Sequence, residues 1–332
     1  MFEAFKARVE SKSHKTEPEN LIWQQFVCSS GLDLSGLSEL ESMTRSLHQS
    51  LQAPFASFGL AMTAVSQVVC MPFKLLLTSL IEKKTLVRFT SVIRQLEANT
   101  PQVGFLTREQ WVAHIKIEAQ NKVGHDAFGR EDKESLDSLL RDLSERMLKL
   151  NQTEANETGR AILFQAVVSL WTAYETLLAD HIRSLVNLEP MVSEKIYKNQ
   201  KLKQQLLLDR FELSDFAAYN YELKGHVGDL IFLGKRKLGK EQLRELLDTL
   251  YGKPLPTKPD YRNAIELLGL RRDLIVHKYG VCDQKYRLRS GERLEVGEKI
   301  VVTPGYVIKS HQILVAFALE LAAEATQFTG RG

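Results

Sequence analysis

The residues best suited to chemistry in this sequence stand together in Arg271-Arg272-Asp273-Leu274-Ile275-Val276-His277-Lys278-Tyr279-Gly280. A guanidinium can clamp a phosphate and stabilise charge that develops on it, and an imidazole can move protons near neutral pH. On a helix, Leu267, Leu270 and Leu274 share one face, and His277 is the next step of that stripe. His277 is therefore expected to face inward or to lie at an interface, close to the helix end. Asp273, four residues earlier, is placed to hydrogen-bond the ring and set its tautomer. Arg272 lies about 140° round the helix from His277 and needs its full side-chain length to reach the same place. The plainer alternative is a core histidine beside a surface arginine pair.

A second residue sharpens the first reading. Glu175 falls on the apolar stripe of the segment 160–187, between Trp171 and Leu178 and beside Tyr174. A carboxylate on a core face is unfavourable unless a cation pairs with it, and Arg271 or Arg272 is the natural partner if the two helices pack. The alternative is a glutamate at the edge of the stripe that reaches water. A Glu–Arg–His set would suit phosphate-ester chemistry. Other catalytic signatures are missing: the chain has no GxxxxGK[ST], GxGxxG, GxSxG or HExxH, and its eight histidines stand singly. No metal site and no cofactor are expected.

The elements that must carry these residues read as helices. The stripe Phe164, Val167, Val168, Trp171, Tyr174, Leu178, Ile182 and Leu185 marks a long helix that Pro190 closes, and a further helix is expected over 261–277. Shorter helical segments are expected over 209–223 and 240–251, and a terminal helix begins at Thr303-Pro304. The segment YRLRSGERLEVGEKIVV alternates and holds Gly291 and Gly297, so it reads as a small β-hairpin insertion. Upstream, Leu136, Leu139, Leu140, Leu143, Met147 and Leu150 define a helix that ends at the polar NQTEANETG. That stretch is the expected boundary between a helical N-terminal domain, 1–155, and a second domain, 158–328. The fold class is all-α apart from the hairpin.

The chain is uncharged from Ser46 to Phe73, and about 20 apolar residues suffice to span a bilayer. Within 53–81, however, Ser57, Gly59, Ser66, Gln67, Pro72 and Lys74 interrupt the run. A proline-broken pair of buried helices is the preferred reading over membrane association. Three scattered cysteines among 332 residues give no disulfide framework, and a reducing, cytoplasmic setting is expected. The formal charge of +3 is too small to announce a nucleic-acid partner, but it divides unevenly: −1 over 1–155 (18 basic, 19 acidic) and +4 over 156–332 (26 basic, 22 acidic). In the second half Lys195, Lys198, Lys201 and Lys203 form one basic cluster and Lys235, Arg236, Lys237 and Lys240 another, with Tyr197, Tyr219, Tyr221 and Tyr279 as stacking faces for RNA bases. The alternative for such lysine runs is a solvated helix face.

The second half resembles the HEPN domains, helical bundles of prokaryotic defence and toxin proteins. The resemblance covers residues 158–328 and rests on the SLWTAYETLLADHIRSL helix, on RRDLIVHKYG as an Arg-x4-6-His motif with a polar residue after the arginine, and on the trailing GVCDQKY, hairpin and terminal helix. It implies that Arg272 and His277 are the catalytic pair, with Asp273 at the polar position, where relatives often carry Asn, and Glu175 as the acidic residue of the early helix. It further implies a metal-independent endoribonuclease, active as a homodimer, in which the RNA 2′-OH attacks the adjacent phosphate and leaves a 2′,3′-cyclic phosphate. Tyr279 resembles the tyrosine of an Arg-x4-His-x-Tyr form that a partner antitoxin modifies, and Arg271 and Lys278 flank the pair as candidate substrate contacts. An antitoxin or sensor protein is the partner this resemblance implies besides RNA. Some relatives serve instead as non-catalytic binding or assembly modules.

Overall fold

The computed structural model describes residues 32–99, 107–126, 152–206, 212–232 and 238–329. The expected helix over 131–151 and the basic residues Lys235, Arg236 and Lys237 lie outside them. The described chain is overwhelmingly helical. In order it forms α1 (Ser35–Arg45), α2 (Gln49–Asn99), α3 (Arg108–Asp126), α4 (Gln152–Leu188), α5 (Ser193–Lys198), α6 (Gln200–Gln205), α7 (Leu213–Ala217), α8 (Val227–Ile231), α9 (Lys240–Tyr251), α10 (Pro259–Lys278), α11 (Gln284–Ser290) and α12 (Pro304–Thr329). An all-α fold is the outcome the apolar periodicity anticipated.

Three boundaries differ from expectation. The polar NQTEANETG is not a linker: from Gln152 it belongs to α4, because Gln152, Glu154, Ala155 and Glu157 favour helix and a single Gly159 costs only about 1 kcal/mol. Pro72 does not divide α2, which runs unbroken through it, and its flanks Val68–Met71 and Phe73–Leu76 hold no second breaker that would release the chain. The alternating Tyr286–Arg289 is helix rather than strand. The Asp283 side chain accepts from the Tyr286 N–H at 2.8 Å to cap α11, and Gly291, at φ 69°, stops it. Among the described residues there is no sheet. One isolated antiparallel bridge, Val281 to Lys299, is all that corresponds to the hairpin.

The chain divides into two compact units, and the division cuts both α2 and α4. The described residues of 70–158 form one. Within it Leu96, Ile115 and Ala119 make a small core with Phe89, Val92, Ile93 and Trp111 packed round it. The described residues of 32–69 and 159–329 form the other, so 32–69 groups with the second half of the chain. The reason is apolar burial: Leu40, Leu51, Phe55, Phe58 and Met62 are fully buried there.

Three helices, Gln49–Met71, Glu157–Leu188 and Pro304–Phe328, are long and apolar enough to cross a membrane by length and composition. About half of each window is buried inside the protein (44%, 50% and 56%). In the second unit they supply the core. Tyr174 of α4 meets Phe317 of α12 edge-on at 5.4 Å between ring centroids, and Phe55 of α2 meets His181 of α4 at the same distance. A helix that is apolar on most of its surface needs neighbours on several sides, and these helices provide them for one another.

Two histidines are sealed in this core. His181 is fully buried, and its Nε2 lies 2.8 Å from the Tyr251 hydroxyl while its Nδ1 has no partner. His311 of α12 is also fully buried, with neither ring nitrogen hydrogen-bonded. Burial pushes the two pKa values down to about 3 and about 4, with the Met62 backbone and then Asp33 opposing the shift at His311. In the unfolded chain both titrate near 6.5, so below that pH the unfolded state binds more protons and stability falls as pH drops toward about 4. Thermal melts are expected to show a lower Tm at about pH 5 than at about pH 7.5, and a His311→Leu variant a smaller difference between the two. Equal pH dependence in the variant would count against His311 as a source of the loss.

Candidate functional site

The Arg–His segment occupies the last two turns of α10. Pro259 opens that helix at its first position, and Ile265, Leu268, Leu270, Leu274 and Ile275 bury one side. It ends where Tyr279 and Gly280 take positive φ, 53° and 76°, and the Gly280 N–H turns back to the Leu274 carbonyl at 3.1 Å. Glycine is required at 280 on two counts, since a Cβ there would sit 2.7 Å from the Phe164 ring.

Successive residues on a helix point about 100° apart, and Arg271, Arg272 and Asp273 therefore reach three different neighbours. Arg271 goes inward. It is 8% exposed, bonds the Glu292 carboxylate, donates to the Val301 carbonyl at 3.2 Å and lies 4.1 Å over the Tyr306 ring. The Tyr286 hydroxyl donates to the same Glu292. Burial works most strongly against the Arg271 charge, but the Glu292 hydrogen bond and the charges of Tyr306, Glu292 and Tyr286 together outweigh it and leave the group more basic than usual. Arg271 is thus a buried fastener, not a substrate contact as the sequence suggested.

Arg272 turns to α4 and meets Glu175 at 3.8 Å, with both side chains about 30% exposed. Of the two arginines offered as the partner of Glu175, the structure selects this one. Its second partner is Asp273 at 3.0 Å. Asp273 also accepts from Lys240 of α9 at 2.9 Å. Burial alone would raise the Asp273 pKa, but the hydrogen bonds from Lys240 and Arg272 prevail and lower it.

His277 departs from expectation. It is exposed, and no hydrogen bond or ion pair holds it among the described residues. The stripe of Leu267, Leu270 and Leu274 ends before it because the core stops at the last turn of α10; Val276, Lys278 and Tyr279 are exposed there too, Tyr279 at 86%. Asp273 does not orient the imidazole, its oxygens being taken by Lys240 and Arg272. The Glu175–Arg272–Asp273 cluster and His277 are one helical turn apart. Within one chain the guanidinium faces α4 while the imidazole faces solvent.

The first basic cluster disperses. Lys195 donates to the Leu250 carbonyl at 2.8 Å, Lys198 pairs with Glu194 of its own helix, Lys201 crosses to Glu245 at 2.7 Å and Lys203 lies over the Tyr197 ring at 4.3 Å. Four charges close in sequence do not make one patch, because a helical chain sends them in different directions. Of the tyrosines, Tyr197, Tyr221 and Tyr279 are exposed, whereas Tyr219 stacks on His226.

What the sequence reading missed is a ladder between α9 and α10. Lys240, Arg244 and Asp248 follow one face of α9 at four-residue steps, and Asp273, Glu266 and Arg262 follow one face of α10 in the opposite direction. They pair as Lys240–Asp273 at 2.9 Å, Arg244–Glu266 at 3.9 Å and Asp248–Arg262. The rungs cross a cleft of about 710 Å³ with Trp171 and Tyr174 in its wall. Gly269 lets the helices close at its inner end, since a Cβ would fall 2.7 Å from the Trp171 ring and 3.2 Å from the Lys240 ammonium. The signal was present in sequence as charges four residues apart on one segment and four and seven apart on the other, but it becomes legible only once the segments are known to run antiparallel.

Comparison of the chain with protein-family models, with curated proteins and with solved structures finds no match.

The two neighbouring arginines are expected to differ in stability. Arg271→Ala strands Glu292 and removes a buried stack, and is expected to cost roughly 2–4 kcal/mol. Arg272→Ala breaks a part-exposed pair and is expected to cost about 1 kcal/mol or less. Urea denaturation of the two variants checks the order, and an Arg272→Ala cost equal to that of Arg271→Ala would contradict it.

Proposed function

We propose that the chain is a metal-independent endoribonuclease of the toxin or phage-defence type, acting as a homodimer through its second unit, in which Arg272 and His277 serve the reaction. The observation that supports this reading is the exposed, unengaged His277 in the last turn of a helix whose Arg272 is held by Glu175 from another helix. A proton-transfer group must be free to meet substrate, and a phosphate-clamping group must be held in place. Here the two residues meet those requirements separately.

In this mechanism His277 accepts the proton of the RNA 2′-OH or donates one to the leaving 5′-oxygen, and the Arg272 guanidinium stabilises the charge on the pentacoordinate phosphorus. The product carries a 2′,3′-cyclic phosphate, and DNA is spared because it lacks the nucleophile. Asp273 would repel the phosphate as a bare carboxylate, but Lys240 and Arg272 neutralise it. The 140° between Arg272 and His277 on one helix explains why a second copy is needed: the imidazole of one protomer can meet the guanidinium of the other. An antitoxin or sensor protein would bind the same exposed end, at Tyr279 and Lys278.

The competing reading is a non-catalytic helical interaction module in which Glu175–Arg272–Asp273 is structural. It draws on the same contacts, since both ends of the Arg272 guanidinium are occupied.

Incubation with total RNA in the presence of EDTA separates the two. Wild type is expected to cleave, and Arg272→Ala and His277→Ala to lose at least about a hundredfold in rate, the lower end of what a general acid or base contributes. Equal cleavage by all three proteins would remove these residues from the mechanism, and no cleavage by any would leave the binding module.

A further inference from the structure

The cleft between α9 and α10 has a loosely paired middle. Six basic and four acidic side chains line it, and its Lys240 and Lys253 pair with Asp273 and Glu324 beside it. Its end rungs are closed hydrogen-bonded pairs: Lys240 with Asp273, and Arg262 with Asp248. The middle rung differs. Arg244 reaches Glu266 only at 3.9 Å and makes no hydrogen bond with it. Glu266 is also claimed by a second guanidinium, Arg289 of α11, at 3.4 Å, which in turn holds Glu241 at 3.0 Å. One carboxylate thus serves two arginines from two different helices, and all three side chains are between 33% and 41% exposed to the cleft.

The geometry points to a phosphate subsite at Arg244 and Arg289, where a backbone phosphate of RNA takes the place that Glu266 only half fills. A phosphate offers three acceptor oxygens to guanidinium forks where Glu266 offers two, and the loose Arg244 contact is the one it displaces. Glu241 keeps its own bond to Arg289, so that arginine stays in position. From Glu266 to Asp273 along α10 is seven residues, or about 10 Å, somewhat more than the spacing of neighbouring phosphates. A strand with its scissile phosphate at Arg272 would therefore lay a phosphate one or two nucleotides away on the middle rung. The subsite deepens the ribonuclease reading and rests on it for the identity of the strand. Its residues lie outside the Arg272–His277 pair.

The test is binding of a fluorescein-labelled oligouridine of about 12 nucleotides to the full-length protein, followed by anisotropy over a range of salt. Arg244→Ala and, independently, Arg289→Ala are expected to weaken binding about tenfold and to lower the salt slope by about 0.7, one phosphate contact on a single strand. Glu266→Gln keeps the side-chain shape and removes the competing charge, so it is expected to tighten binding about threefold, the worth of an ion pair of that exposure. Unchanged affinity and slope in both arginine variants, or weaker binding by Glu266→Gln, would overturn the subsite. Cleavage read on the same proteins keeps the two proposals apart. Cleavage that depends on His277 with binding indifferent to Arg244 and Arg289 defeats the subsite alone. Absent cleavage with the expected binding changes defeats the nuclease alone.

Discussion

The buried cation Arg271 is the constraint on which the functional end of this molecule depends. Its guanidinium cannot leave the interior uncompensated, so Glu292, the Val301 carbonyl and the Tyr306 ring must gather round it. Those partners come from the segment after α10 and from the start of α12. Satisfying one charge therefore fastens 291–306 against α10, and Tyr286 of α11 joins through Glu292. Removing the arginine would leave a part-buried carboxylate and an unsupported turn, whereas an exposed pair could be lost at little cost.

The same helix distributes its other residues by angle alone. Leucines and isoleucines go to the core, Arg271 to the following segment, Arg272 to Glu175 on α4, and Arg262, Glu266 and Asp273 to the cleft shared with α9. A 100° step per residue makes adjacent arginines functionally unrelated. It also separates the proposed clamp from the proposed proton carrier. Arg272 and His277 are near in sequence and far round the helix, and the chemistry proposed for them requires geometry that one chain does not supply. The ion-pair ladder adds modest stability, because its rungs are part-exposed, but it arrays charge along a groove where a polyanion could lie.

The pattern of agreement with the sequence reading follows from the range of each interaction. Helix positions over 160–187, 240–251 and 261–277 were legible because apolar spacing and proline placement are local signals. The hairpin was misread because Tyr-Arg-Leu-Arg alternates over too few residues to outweigh a capping aspartate at 283 and a stopping glycine at 291. NQTEANETG was misread because polarity suggests a loop, while Gln152, Glu154, Ala155 and Glu157 within it are good helix formers. His277 was extrapolated from a leucine stripe, and no sequence pattern says where a core ends along a helix.

By itself the sequence determined that the protein is helical, that its second half carries the Glu175, Arg272, Asp273 and His277 set, and that a glutamate on an apolar stripe must pair with a cation or reach water. Those conclusions depend on periodicity and on the cost of burying charge, which act within a few turns of chain. Only the tertiary structure decided which arginine answers Glu175, that Arg271 is a fastener, that residues 32–69 complete the second unit, and that α9 and α10 face each other as an ion-pair ladder. Each of these pairs residues 14 or more positions apart. Which partner is reached then depends on how helices pack and on a rotation of 100° per residue, information no single segment contains.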